Sequence, residues 1–173
     1  KVRVRAGIAM VKCPGCGTDV AIDAAMCYAC GEQLGNPFNL DDAQRALFDK
    51  ATEEMDRDGW GKAIGYYLEL VKLRPDVGHF FSCIGMAYAF QDRNEEAWEY
   101  YSKAIKAEPG NGDLWQTRLE FALEEGEQRL KTHIDEYLAH FKDSSEAKLG
   151  LAESILLVSD KHNGTVAELC RQV

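Results

Sequence analysis

Nowhere in the 173 residues do about twenty apolar residues follow one another, so the sequence shows no candidate for a membrane-spanning helix. The first dozen residues likewise hold no apolar run ahead of a cleavage site, which argues against a secretory leader. Basic residues are in deficit: 20 Lys and Arg stand against 29 Asp and Glu, for a formal charge of −9. A body so acidic repels phosphate backbones, which disfavours nucleic acid as a partner. A nucleophile elbow, a phosphate-binding loop and a paired-carboxylate motif in recognisable context are also missing. The four histidines, His79, His133, His140 and His162, share no spacing with acids or cysteines that would mark a second metal site, and each is read as structural or exposed. These absences lead us to expect a cytoplasmic protein that is not an enzyme.

Cysteine, by contrast, is concentrated. Four of the six cysteines lie in CPGCGTDVAIDAAMCYAC, residues 13–30, as two Cys-x-x-Cys pairs with ten residues between them. A reducing compartment disfavours structural disulfides and turns attention to metal or redox chemistry. Zinc takes four soft or borderline ligands at tetrahedral corners, and each Cys-x-x-Cys turn supplies two sulfurs, so two turns close a site. Gly17 and Gly31 directly follow the second cysteine of each pair, where the chain bends back and a residue lacking Cβ takes positive φ cheaply. Val20, Ile22, Ala24, Ala25 and Met26 supply a strand-like stretch but too few apolar atoms for a core, so the metal must contribute the folding free energy, on the order of 10 kcal/mol. A thiol redox pair needs a βαβ scaffold and a helix N-terminus, and neither is written around residue 13. Iron on the same four thiolates stays open, because the spacing suits both ions. With all four positions filled there is no place for substrate or activated water. Cys83 and Cys170 stand alone within helical patterns and read as small buried apolar residues.

The stretch KCPGCGTDVAIDAAMCYACGEQL, residues 12–34, resembles the short zinc-ribbon module found at the ends of bacterial and archaeal proteins: Cys-Pro-x-Cys-Gly, ten residues between the inner cysteines, Cys-x-x-Cys-Gly and a final leucine, here Leu34. The resemblance implies a small β ribbon in which Cys13, Cys16, Cys27 and Cys30 bind one structural zinc.

Beyond Gly35 and Pro37 a period of 34 residues emerges. Ala63 recurs as Ala97, Tyr67 as Tyr101, Pro75 as Pro109 and Leu70 as Ala104; Leu47 is echoed by Phe81 and Trp115, and Ala51 by Gly85. Small residues stand where two helices would touch, large ones where they would fill, and proline where the second helix would stop. The stretch GHFFSCIGMAYAFQDRNEEAWEYYSKAIKAEPG resembles a tetratricopeptide repeat in Phe81, Ile84, Gly85, Tyr88, Ala97, Tyr101, Ala104 and Pro109. The expected architecture is therefore mainly α: a solenoid of TPR-like helical hairpins over residues 41–173, preceded by a β zinc ribbon at 12–34 and a linker at 35–40. Units are expected at about 44–77, 78–111 and 112–142, the last lacking the proline and running three residues short, with a partial unit at 143–173 that includes Leu149 and Gly150. Expected helix starts are Asn39 or Asp41, Asn94, and Ser144 or Ser145. Residues 1–11 are read either as an addition ahead of a natural start at Met10 or, from the alternation Val2, Arg3, Val4, Arg5, as an edge strand.

The repeat resemblance also implies a concave face lined by first helices: Arg45, Phe48, Thr52 and Asp56; His79, Ser82, Met86 and Phe90; Gln116, Glu120 and Glu124. An apolar middle flanked by carboxylates suits a basic, partly apolar protein or peptide partner. The competing reading makes Met86 and Phe90 core residues and Glu120 with Glu124 a solvated helix face. Trp98 and Tyr100 are placed on the convex side. The expected function is a non-enzymatic interaction scaffold. The alternatives are nucleic-acid binding through the ribbon and, behind it, thiol redox chemistry. Residues 1–35 carry four basic and three acidic groups, and four thiolates with one Zn²⁺ add −2, so Arg3, Arg5, Lys12 and Tyr28 make a thin nucleic-acid footprint.

Overall fold

A computed structural model of the chain, describing residues 10–13, 15–21, 27–31, 38, 40–144 and 150–151, opens on two three-residue strands. Strand β1 (Met10–Lys12) pairs antiparallel with β2 (Asp19–Ala21), Val11 opposite Val20 and Lys12 opposite Asp19. So short a ribbon is not stable alone. The first Cys-x-x-Cys turn joins the strands: Gly17 has φ +72° and its N–H donates to the Cys13 carbonyl at 2.8 Å, while the Cys13 N–H donates to the Thr18 carbonyl at 2.9 Å. The second turn repeats the device, with Gly31 at φ +74° and its N–H on the Cys27 carbonyl at 2.9 Å. Both glycines thus take the positive φ expected of them. The alternating Val2–Arg5 segment, and residues 22–26 and 32–37, lie outside the described residues.

Six helices follow among the described residues up to His140, in three hairpins. Helices α1 (Asp42–Asp56) and α2 (Trp60–Leu73) form the first, in the compact unit Lys1–Val77. Asp41 starts α1 with a reciprocal cap: its carboxylate accepts from the Gln44 N–H at 2.8 Å, and Gln44 Oε1 accepts from the Asp41 N–H at 3.2 Å. Of the two starters expected, Asn39 falls outside the described residues. Ala51 of α1 and Ala63, Ile64, Tyr67 and Leu70 of α2 are buried between the helices. Phe38 and Leu40, within the segment expected to be a linker, are part of this packing: Phe38 meets Phe48 edge-on at 5.6 Å, its carbonyl accepts from Arg74 Nη1 at 2.7 Å, and Leu40 is buried.

The second compact unit, Gly78–Val173, holds α3 (Gly78–Ala89), α4 (Asn94–Ala107), α5 (Gly112–Glu125) and α6 (Glu127–His140). Helix α3 pairs with α4 and α5 with α6, and α5 also packs on α3 and α4, so two successive hairpins stack. The residues spaced by 34 are the ones buried: Ala97, Tyr101 and Ala104 occupy in α4 the places of Ala63, Tyr67 and Leu70 in α2. At Gly85 an added Cβ would lie 3.0 Å from the Tyr101 ring and 3.2 Å from the Ala97 carbonyl, which is why the position takes a small residue. Each buried Leu, Ile or Val contributes about 1.5–3 kcal/mol. One hairpin has too few of them, and stacking supplies the rest. The described chain is therefore a mainly α protein of TPR-like tandem hairpins.

One expectation is corrected in this unit. Asn94 is the first helical residue of α4 instead of its cap; Arg93 precedes it without a side-chain cap, and Asn94 Nδ2 donates to Glu125 Oε1 at 2.6 Å on the neighbouring hairpin. The shortness of the third unit is now located. The turns Arg57–Gly59 and Phe90–Arg93 reverse the chain with Asp58 and Asp92 at φ +59° and +57°, whereas Gly126 alone, at φ +108°, joins α5 to α6. Of the partial fourth unit only Ser144, Gly150 and Leu151 follow Asp143 among the described residues, and Leu151 packs on Leu119, Leu123, Leu130 and Ile134. No described helix is long and apolar enough to cross a membrane.

Candidate metal centre and hairpin faces

The sulfurs of Cys13, Cys16, Cys27 and Cys30 all lie within 4.8 Å of one another. Cys13 and Cys30 are 3.6 Å apart, as are Cys16 and Cys27. Four thiolates about 2.3 Å from a tetrahedral zinc stand about 3.8 Å from each other, so the cluster fits such an ion with little adjustment. The first sulfur of each pair, Cys13 or Cys27, is buried against Val20, and the second, Cys16 or Cys30, is exposed. Cys16 Sγ is hydrogen-bonded to Thr18 Oγ1 at 3.2 Å, and the Thr18 side chain, then its backbone, then Cys30, hold the Cys16 thiol down to about 6. A lowered thiol is readied for a cation, because metals bind the thiolate. Lys12, one of the basic residues considered for nucleic acid, is paired with Asp19 at 2.7 Å.

The residues expected on a concave face are placed as follows. In the first unit Phe48 is half-buried, with Phe38 on one side and the Tyr67 ring at 6.3 Å on another; the Thr52 hydroxyl donates to the Phe48 carbonyl at 2.9 Å, and Arg45 and Asp56 are exposed. In the second unit His79 Nε2 contacts Cys83 Sγ at 3.4 Å, Ser82 is buried, and Met86 packs against Ala97, Tyr101 and Phe121. Burial leaves the Ser82 hydroxyl no access to a partner. Phe90 is 56% exposed at the end of α3. Gln116, Glu120 and Glu124 follow one another along one side of α5, the two glutamates exposed and Gln116 donating to Glu120 Oε1 at 3.1 Å. Burial foremost, then Cys83, Glu124 and Glu120, push the Tyr101 hydroxyl upward.

Sequence reasoning missed a buried cation. Arg118 is 1% exposed on α5, its guanidinium 4.9 Å from the Trp98 ring centroid and 5.1 Å from that of Trp115. Its Nε donates to His133 Nδ1 at 3.1 Å, and its Nη1 reaches Ser102 Oγ at 3.2 Å and Glu136 Oε2 at 2.7 Å. Burial first and Arg118 second push the His133 imidazole down to about 3. Trp98 also carries Arg129 at 4.9 Å, so cations stack on it from two helices, while Tyr100 pairs with Tyr88 at 5.4 Å and with Lys103. His140 is exposed and stacks on Trp115; His162 and Cys170 lie outside the described residues.

No protein-family model matches the sequence, and neither does any curated protein. Among solved structures, the chain is similar to the TPR2B domain in the TPR2B-domain:pHsp70 complex of yeast Sti1, with 18% identity, 76% of this chain and 93% of that chain covered, and a TM-score of 0.47.

Proposed function

We propose that this protein is a non-enzymatic interaction scaffold, in which Cys13, Cys16, Cys27 and Cys30 hold one structural Zn²⁺ and the stacked hairpins of residues 78–140 hold a basic, partly apolar segment of a partner protein. The observation that carries the reading is the face shared by α3 and α5. There the exposed carboxylates of Glu120 and Glu124 stand on α5, and Met86 on α3 and the exposed Phe90 just beyond its end supply apolar surface. Carboxylates of this kind steer a cationic segment, and apolar anchors retain it. His79 and Gln116 extend the proposed contact set of the second unit; Phe48 and Thr52 are proposed as contacts of the first unit by itself. Zinc, when bound, supplies a cross-link between the two Cys-x-x-Cys turns; the buried pair Cys13 and Cys27 ties it to Val20.

An immobilised array of peptides that vary in charge and in one apolar residue, probed with the purified full chain, tests the partner class. Peptides pairing Lys or Arg with Leu, Met or Phe should be retained best, and retention should fall as salt rises. Equal retention of acidic or wholly polar peptides contradicts the reading.

A further inference from the structure

The four cysteines of the ribbon are not equivalent. Cys13 and Cys27 are buried with Val20, whereas Cys16 and Cys30 are exposed. Each exposed cysteine has its sulfur 3.6 Å from that of a buried one on the opposite turn, Cys16 from Cys27 and Cys30 from Cys13. The contact of Cys16 Sγ with Thr18 Oγ1 at 3.2 Å also lies at the surface. Zinc, when bound, keeps all four sulfurs as thiolates, the form that attacks electrophiles. Two of these nucleophiles therefore stand where solutes reach them, each with a second sulfur at hand.

Loss of the ion would reach further than four side chains. The strands that the first turn joins hold three residues each, too few to persist alone, and the amides of Cys13, Gly17 and Gly31 bond within the two turns. Helices α3–α6, by contrast, have buried clusters built from residues 81–151. A chemical event at the sulfurs thus changes the order of the ribbon and spares those hairpins. Cys83, on α3 and 6% exposed, is the internal reference for a sheltered thiol.

We propose that the cysteine cluster is a peroxide-sensitive switch, in which oxidation joins an exposed sulfur to its buried neighbour across the turns, Cys16 to Cys27 or Cys30 to Cys13, and releases the zinc. This rests on the reading of the cluster as a zinc site. With hydrogen peroxide as the oxidant, the exposed thiolate attacks one oxygen: the S–O bond forms, the O–O bond breaks and hydroxide leaves, giving a sulfenic acid. The buried thiolate then attacks that sulfur; the S–S bond forms, the S–O bond breaks and a second hydroxide leaves. The two sulfurs lose two electrons, the peroxide gains them, and both hydroxides take protons from solvent. Two thiolates remain, half of a tetrahedral shell, and the ion departs. A dithiol reduces the bridge by exchange, after which zinc rebinds.

The full chain, purified with its metal and freed of reductant, is treated with substoichiometric hydrogen peroxide while a colorimetric zinc indicator is read and the first disulfide is mapped by mass spectrometry. About one zinc should appear for each peroxide consumed, and that disulfide should link one turn to the other. Cys16 and Cys30 should be oxidised about tenfold faster than Cys83. Hydrogen exchange at the Cys13, Gly17 and Gly31 amides should accelerate with the release and slow again once dithiothreitol and zinc are supplied, while helical circular dichroism persists. A first disulfide within one turn, Cys13 to Cys16 or Cys27 to Cys30, overturns the pairing assigned here, and oxidation of Cys83 ahead of the cluster overturns the switch. Zinc that is present and stays bound in excess peroxide overturns the switch and leaves the zinc reading standing. A chain that holds no zinc from the start overturns both.

Discussion

Arg118 Nε donates to His133 Nδ1 at 3.1 Å, so a buried cation lies against a buried imidazole and keeps it neutral. The folded-state pKa of His133 is about 3, lowered by burial and then by Arg118, against an unfolded value of about 6.5. Between those limits the unfolded chain holds a proton that the fold refuses. The contribution is complete above about pH 6.5 and is lost as pH falls toward 3, at up to about 1.4 kcal/mol per unit. Urea unfolding of residues 78–140 in the full chain should show about 2 kcal/mol less stability at pH 5 than at pH 7.5. His133→Phe should flatten that slope. A midpoint identical at both values would show that His133 keeps an ordinary pKa.

Gly78 opens α3 in a space with no room for a methyl group. A Cβ there would lie 2.5 Å from Leu114 Cδ1, 2.7 Å from the Ala104 carbonyl and 2.8 Å from Glu108 Oε2. The Leu114 side chain can turn away, but the backbone carbonyl cannot, so the start of α3 must move and weaken the Gly78 N–H bond to Glu108 Oε2 at 2.8 Å. Gly78→Ala should cost about 1–3 kcal/mol in thermal or urea unfolding. Gly65, inside α2 with nothing within 4 Å of the same added atom, supplies the opposite case: Gly65→Ala should stabilise by about 0.5–1 kcal/mol. A destabilised Gly65→Ala chain would mean that the exposed face of α2 is covered.

Much of this was legible in the sequence, for identifiable reasons. The glycines after each cysteine pair took positive φ because the turn demands it of whatever stands there. The 34-residue recurrence of Ala63, Tyr67 and Leu70 predicted burial because the same contact recurs in each hairpin. Arg118 was not legible. Its partners Trp98, Ser102, His133 and Glu136 come from two other helices, and an arginine in an amphipathic helix reads as exposed until the packing is known. Asn94 misled for a similar reason: a residue suited to capping its own helix found a carboxylate, Glu125, on the next hairpin. The missing three residues of the third unit were visible as a number, and their place in the turn at Gly126 was not.

At the four cysteines, metal removal should act locally. The amides of Cys13, Gly17 and Gly31 donate to carbonyls within the two turns, and those turns are held by whatever joins their sulfurs. Elemental analysis of the purified chain should give one zinc per chain. After chelation, hydrogen exchange at those three amides should accelerate sharply, while the amides of α3–α6 keep their protection. Two metals per chain, or turn amides indifferent to the chelator, would contradict a single structural ion at this cluster.

Glu120 and Glu124 provide the most direct test of the proposed partner surface, because both are exposed and their loss should leave the core intact. Exposed charges act chiefly on the encounter rate, whereas apolar anchors govern dissociation. Changing both glutamates to lysine should slow association with a basic peptide selected from the array and reduce the salt dependence of binding. Phe90→Ala should leave the association rate nearly unchanged and speed dissociation about tenfold, which corresponds to an anchor of about 1.4 kcal/mol. Met86→Ala is less clean, because Met86 also packs against Ala97, Tyr101 and Phe121, so its effect on binding must be read beside its effect on unfolding. Surface plasmon resonance at two salt concentrations separates the rates. Should the double lysine variant associate as fast as the parent at low salt, the acidic row on α5 is a solvated face and the partner binds elsewhere.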